Sequence, residues 1–350
     1  MKPGASTRSA ILELTDARWV AFAAAHPEAI PFHHPEWGAL VAECYGFHAF
    51  AVVAMNASGA VTAGVPMVEV RHRPARAKWV ALPFTDFCPP LLSSSDDAHH
   101  LASALRTTGA DASIRRIEVR GALPGAAARG PVAIKHVLTL AADPTHTFER
   151  FHRSQVQRNI RRAEREGLTV RQGDRPQDLI DTFYRLHLQT RRRQGVPVQP
   201  RRFFHLLWER AISTGLGSVV IVESADQPLA AAVFLAWNGT VIYKFGASDE
   251  RSWSLRPNHL LFWHVIRNAC EQGYRSFDFG RTDTDHEGLR SFKRSWGARE
   301  EPLEYSLFGT VSTPNAHPHR RTSYALRSVI QHSPALVCRA CGELLYRFVA

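Results

Sequence analysis

The sequence predicts a mixed α/β (α+β) protein made of two tandem halves, and three observations carry that expectation. At 350 residues the chain is longer than a single hydrophobic core usually grows. Residues 52–67 (VVAMNASGAVTAGVPM) and 219–234 (VVIVESADQPLAAAVF) share one pattern, an apolar run, a polar turn at the same offset and a second apolar run. That pattern is a β-hairpin present twice. Helical periodicity precedes each hairpin and lies between later β-rich runs, which fits a twisted, mostly antiparallel sheet flanked by helices in each half.

The elements follow in order. After the first hairpin a strand is predicted near 116–119, and the join between the halves falls near residue 143. Asp143-Pro144 is a helix start, an N-cap acid followed by proline in the first turn. The helix is expected to run to about residue 166 and stop at Gly167-Leu168. Within it Val156, Ile160 and Ala163 repeat on one face, while Arg158, Arg161, Arg162 and Arg165 share the opposite face. A second helix over about 176–193 ends in Arg191-Arg192-Arg193, with Gly195 as its stop, and a third after Pro200 packs Phe203, Phe204, Leu207 and Trp208. The second hairpin continues into Asn238-Gly239, a strong signal for a two-residue turn. A strand near 276–279 and a short helix over 286–295, capped by Asp285, follow. The predicted organisation is therefore a first half over 1–143, a second over 144–312, and a helical appendage over 313–350.

Composition narrows the class. Apolar residues make up 45% and charged residues 21%, as in globular proteins generally. The longest apolar run, 228–237, is too short to cross a bilayer, and the start MKPGASTRSA has no signal-peptide core, so a cytoplasmic location is expected. Five scattered cysteines make no disulfide framework. The lone C-x-x-C of Cys338 and Cys341 lacks the further ligands of a zinc site, and no metal is expected. The net charge is +11, and residues 153–210 hold fourteen arginines against six acids. Such a surface favours a polyanion: nucleic acid, a nucleotide-linked substrate or an anionic membrane met peripherally.

Four motifs in the second half carry a resemblance. They are Y-x-x-G-A-S at 243–248, a helix opened by Pro257, F-D-F-G at 277–280 and F-K-x-x-W-G at 292–297. Together they resemble the second half of the Fem-type peptidyltransferases, aminoacyl-tRNA-dependent enzymes with two GNAT-like halves, and their wider relatives, the GNAT-like N-acyltransferases. The resemblance spans roughly residues 15–310 and is strongest over 150–300. It implies an acyltransferase that passes an aminoacyl or acyl group to an amine acceptor in a cleft between two lobes, in building a peptidoglycan-like cell envelope. It implies no permanently bound cofactor. The co-substrate would be aminoacyl-tRNA or acyl-CoA, and the partner an amine-bearing or nucleotide-linked acceptor, with tRNA as a further partner. An acyl-CoA-dependent enzyme of exopolysaccharide or natural-product assembly is the alternative on the same fold. A non-catalytic RNA-binding protein would use the arginine helix but has no use for the F-D-F-G and F-K-x-x-W-G motifs.

Acyl transfer needs a cation or donor for the developing oxyanion and a route for the amine's proton. Lys293 matches the position where the family sets a lysine against the donor carbonyl; the plain alternative is a surface lysine on an amphipathic helix. Asp278 alternates with Phe277 and Phe279 on a strand, where it orients the amine or ties a loop or Arg281. Phe292 and Arg281 flank these two residues, and Tyr243 is assigned to the substrate pocket or to the sheet core. In the first half, Phe84 and Asp86 of Pro83-Phe84-Thr85-Asp86 resemble the turn that relatives point at the acceptor. Arg158, Arg161, Arg162 and Arg165 are the polyanion candidates. The segment SDERSWSLRPNH before the Pro257 helix holds no glycine, and Pro257 has no N–H. It therefore lacks the glycine-rich backbone cradle that acetyltransferases close around coenzyme A pyrophosphate.

Overall fold

A computed structural model describes residues 7–71, 77–309 and 324–346. The chain divides into two compact units. The first is built from residues 1–133 and 302–316, the second from 134–301 and 317–349. Within the described residues the chain passes between them at 133/134 and 301/302, each time within a strand.

In the first unit the strands are β1 (Arg8–Glu13), β2 (His48–Met55), β3 (Val61–Val70), β4 (Lys78–Val80), the short β5 (Leu91–Leu92) and β6 (Arg116–Val119). The helices α1 (Ala17–Ala25), α2 (Pro35–Tyr45) and α3 (Asp97–Asp111) cover them. β1–β2, β2–β3 and β3–β4 pair antiparallel, and β4–β6 pair parallel across the α3 crossover. The last strand, antiparallel to β6, is the 306–309 end of β13 (Arg299–Gly309). Trp19, Trp37 and Trp79 are fully buried here.

The second unit repeats that order. It holds part of β7 (Ala128–Thr139), then α4 (Pro144–Glu149), α5 (Arg158–Arg165), β8 (Thr169–Gln172), α6 (Tyr184–Gln194) and α7 (Arg201–Leu207). β9 (Gly217–Ser224), β10 (Gln227–Trp237), β11 (Thr240–Ser248), α8 (Pro257–Glu271), β12 (Ser276–Thr282) and α9 (Glu287–Ser295) follow, and α10 (Tyr324–His332) and α11 (Ala335–Leu345) close it. β8–β9, β9–β10 and β10–β11 pair antiparallel, β11–β12 pair parallel across α8, and β7 lies antiparallel to β12. Three antiparallel pairings, one parallel pairing across a helix and a final antiparallel strand thus occur in both units. The first unit's final strand comes from outside its main run of sequence, whereas the second unit's is the first stretch of its own run, residues 134–139.

Local chemistry accounts for these elements. Both predicted hairpins form. Asn238 and Gly239, with φ of 49° and 77°, make the turn in which Trp237 pairs with Thr240, and φ above zero at both central positions is what a two-residue turn requires. Gly195 ends α6 at φ 69°. The expected single helix over 143–166 is instead broken. α4 stops at Glu149, a wider π-turn covers Arg153–Gln157, and α5 follows. Phe151 is the reason. Its ring is buried against Trp296 (5.0 Å) and Trp263 (5.8 Å), and the next amide, of His152, donates to the Ser295 carbonyl. Val156, Ile160 and Ala163 still face the core as expected. No helix among the described residues is long and apolar enough to cross a membrane.

Candidate active site

The second unit's parallel pair opens after three residues. Thr240–Ile242 pair with Ser276–Asp278, and no further β11–β12 pair is formed among the described residues. The carboxyl ends of parallel strands at such a departure are where α/β proteins build sites. Both strands are irregular there. In β11 the register shifts so that Val233 faces Phe245 and Phe234 faces Tyr243, leaving Lys244 as a bulge. In β12 the register shifts between Asp278 and Arg281, with Gly280 at φ 73°. Bulges re-aim side chains and end pairing.

The bulge in β12 is held from two sides. The Asp278 carboxylate accepts the Gly280 amide at 2.6 Å. Lys293, only 4% exposed, donates its Nζ to the Gly280 carbonyl (2.9 Å) and to the Arg281 carbonyl (3.0 Å). Lys293 is therefore no surface lysine; α9 turns it inward. Its helix is capped by His286, whose Nδ1 accepts from Leu289 N at 3.2 Å, in place of the expected Asp285. Arg281, with its side chain 9% exposed, pairs with Asp283 at 3.0 Å.

The motifs acquire physical meaning in this frame. In F-K-x-x-W-G, Phe292 and Trp296 lie one turn apart and pack on the same aromatic group, while Gly297 takes φ 77° just past the helix end. In F-D-F-G, Phe277 and Phe279 enter the core beside Phe262. In Y-x-x-G, the β11 bulge brings Tyr243 and Gly246 onto one face, and a Cβ on Gly246 would fall on the Tyr243 hydroxyl. Tyr243 packs against Phe234 and Phe262 at 5.7 and 4.9 Å, and burial pushes its hydroxyl pKa up to about 12. Tyr243 and Phe292 thus share the neighbour Phe262.

A second group around the lysine has no local signature in the sequence. His136 on β7 is fully buried opposite the β12 bulge, with Nε2 3.2 Å from Glu300 and Nδ1 3.5 Å from the Thr282 hydroxyl. Burial, then the Lys293 charge, hold its pKa down at about 4. Glu300 is gripped by Arg290 at 2.8 and 3.0 Å, which pulls its carboxyl down to about 2. His259, on the first turn of α8, stacks on Trp296 at 5.9 Å and is likewise kept neutral by burial, with a pKa of about 4. His136 lies 164 residues from Glu300 and 146 from Thr282 in sequence, so no local spacing announces it.

The remaining candidates stand apart. Phe84 and Asp86 belong to the first unit, in a turn where Leu82 and Phe84 take φ of 49° and 63°. Two bulky residues in the left-handed region are strained. The turn is fixed by Trp37 donating to the Thr85 hydroxyl (3.0 Å), by Arg120 donating to the Thr85 carbonyl, and by the Tyr305 hydroxyl donating to the Asp86 carbonyl (2.7 Å). The α5 arginines are 158, 161 and 165, all exposed, and 162, half-buried and 3.6 Å from Glu166. The glycine-free segment after Ser248 forms a 3-10 turn over Glu250–Leu255, capped by Asp249. Among the described residues no group of three or more His, Cys, Asp or Glu is arranged to hold a metal ion.

Residues 150–294 match the family model of the acetyltransferase (GNAT) domain. The chain is 39% identical over 61 residues to the lipid II:glycine glycyltransferase of Staphylococcus saprophyticus, covering 16% of this chain and 15% of that protein. It is 35% identical over 75 residues to the enzyme of that name from Staphylococcus epidermidis, covering 20% and 18%. The match thus spans about a sixth of these relatives' length. Among solved structures, FemX is similar with a TM-score of 0.69 at 14% identity, covering 86% of this chain and 97% of that one. A putative lysylphosphatidylglycerol synthetase C-terminal domain from Agrobacterium fabrum gives 0.55 at 14%, covering 84% and 91%. The second unit is thus similar over 150–294 to the acetyltransferase (GNAT) domain, and the fold of the chain is similar to that of FemX.

Proposed function

We propose that the chain is an N-acyltransferase that passes an aminoacyl or acyl group from an activated ester to an amine acceptor, in assembly of a peptidoglycan-like envelope component. One observation carries the reading: a buried lysine ammonium is fixed by two backbone carbonyls beside the point where β11 leaves β12. The staphylococcal relatives named as lipid II:glycine glycyltransferases support the choice of substrate class.

In this mechanism the acceptor amine attacks the donor carbonyl carbon, and the carbonyl π electrons move onto oxygen. The Lys293 ammonium faces that oxyanion, whose charge it meets more strongly in the transition state than in the ground state. Collapse re-forms the carbonyl and breaks the bond to the donor's oxygen, and the amine proton follows to the leaving group or to water. The carbonyls of Gly280 and Arg281 hold Nζ in place, so little reorganisation is needed as charge develops. Asp278 positions this frame by fixing the Gly280 amide. Phe292, Tyr243 and Arg281 flank this frame on the substrate side.

Aminoacyl-tRNA is the preferred donor. The segment preceding α8 offers a capped 3-10 turn and a proline in place of a glycine cradle for pyrophosphate. Three exposed arginines of α5 supply contacts for a phosphate backbone. The test offers purified protein aminoacyl-tRNA and acyl-CoA separately, with amine acceptors that include nucleotide-linked muropeptides. Amide formation from aminoacyl-tRNA alone supports the full reading. Use of the thioester alone removes the tRNA assignment, and no transfer from either donor removes the activity.

A further inference from the structure

The run Arg191-Arg192-Arg193 proves to be a clamp. Arg191 donates to the Pro197 carbonyl (3.1 Å) and the Tyr346 hydroxyl (3.2 Å), and Arg192 donates to the Ser333 carbonyl at the α10–α11 corner (2.7 Å). The Arg193 carbonyl accepts from Gln331 (3.1 Å). On α11, Cys338 and Gly342 face inward, and a Cβ on Gly342 would collide with the Val198 backbone. The C-terminal helix pair is therefore seated firmly on α6.

What it presents outward is apolar. Leu336 (72% exposed) and Leu344 (67%) flank the exposed Ala340 at i, i+4 and i+8, opposite the buried face, and Val329 (49%) lies on α10. Seven large apolar side chains are exposed among the described residues, and four of them sit on these two helices. A fifth, Trp253, lies under the Arg193 guanidinium at 4.9 Å. A helix apolar on both faces is ordinarily covered on both.

We propose that this outward face docks on an anionic lipid surface. The leucines enter the headgroup boundary and the exposed Arg327 of α10 meets the headgroups, the pattern of a helix lying in a membrane interface. Charge selects the occupant. Residues 317–350 carry five arginines and one acid, and the whole chain is +11. A symmetric contact between two copies would bring two strongly basic chains together, whereas an anionic bilayer complements their net charge. The proposal is independent of the acyl-transfer reading, because its readout is partitioning and not turnover.

The experiment is co-sedimentation of the full chain with vesicles of phosphatidylcholine alone and of phosphatidylcholine with 30 mol% phosphatidylglycerol, chosen at about that anionic fraction to create a surface potential. Binding is expected to the anionic vesicles only and to weaken as salt is raised. The double variant Leu336→Glu/Leu344→Glu changes exposed side chains, so it should keep the melting temperature while partitioning falls by about tenfold or more. Absence of wild-type binding, or equal binding by the double variant, overturns the proposal. So does a wild-type dimer in light scattering that the double variant converts to monomer, since the face would then belong to self-association.

Discussion

Lys293 Nζ lies 2.9 Å from the carbonyl oxygen of Gly280, the left-handed residue of the β12 bulge. A helix side chain and a strand backbone thirteen residues earlier thereby fix each other. The bulge cannot relax into regular pairing while the ammonium is present, and the ammonium cannot swing to solvent while the two carbonyls hold it. That mutual restraint is the preorganisation the proposed chemistry requires.

Gly246 is set by Tyr243. Because Lys244 bulges, the Tyr243 hydroxyl occupies the space a side chain on Gly246 would need. Gly246→Ala is expected to destabilise the protein by about 1–3 kcal/mol as an overpacking change. Thermal denaturation of the variant beside wild type measures this, and an unchanged melting temperature would mean that the tyrosine moves aside freely.

Acid should unfold the protein early. Burial holds His33, His136 and His259 near pKa 4 and His187 near 3, below the 6.5 of an exposed imidazole. Between those limits the unfolded chain binds protons that the folded chain refuses. The stability these groups contribute is complete above about pH 6.5 and is lost as pH falls toward 4. Melting temperatures taken from pH 7.5 down to 4.5, at pH steps of about half a unit across the histidine range, should fall steadily below 6.5. A flat profile would show that the four rings are protonated without penalty.

The exposed arginines of α5 are expected to serve tRNA. Reversing Arg161 and Arg162 to glutamate should weaken tRNA binding and lower the slope of log K against log salt by roughly 1 per lost phosphate contact. Arg161 is exposed and stacks over Phe148, and Arg162 faces Glu166, so the melting temperature should move little. An unchanged salt slope would reduce the stripe to a solvated face.

Much of the fold was legible in the sequence because it is locally encoded. The two hairpins, the Asn238-Gly239 turn and the Gly195 stop all depend on residues within a few positions of one another. What was not legible depends on distant partners. The break after α4 exists because Phe151 meets Trp296, and the last strand of each unit comes from far along the chain from the strand it pairs with, residues 306–309 beside β6 and residues 134–139 beside β12. Arg191–Arg193 read as free charge, yet they hold the C-terminal helices. At the site, Lys293 and Asp278 were marked by their motifs, while His136 and Glu300, 164 residues apart, carried no local signal.

The most direct measurement is the turnover of Lys293→Met against wild type, with aminoacyl-tRNA and an amine acceptor, beside its melting temperature. Methionine keeps the apolar stem but leaves the Gly280 and Arg281 carbonyls without their donor, which should cost about 1–3 kcal/mol for each oxygen left without a hydrogen bond. Below its own melting transition the variant should bind the donor normally, show little change in KM and lose roughly 10² to 10³ in kcat. A folded Lys293→Met protein that turns over as fast as wild type would contradict the account, and would leave the lysine as a clamp on the β12 bulge and nothing more.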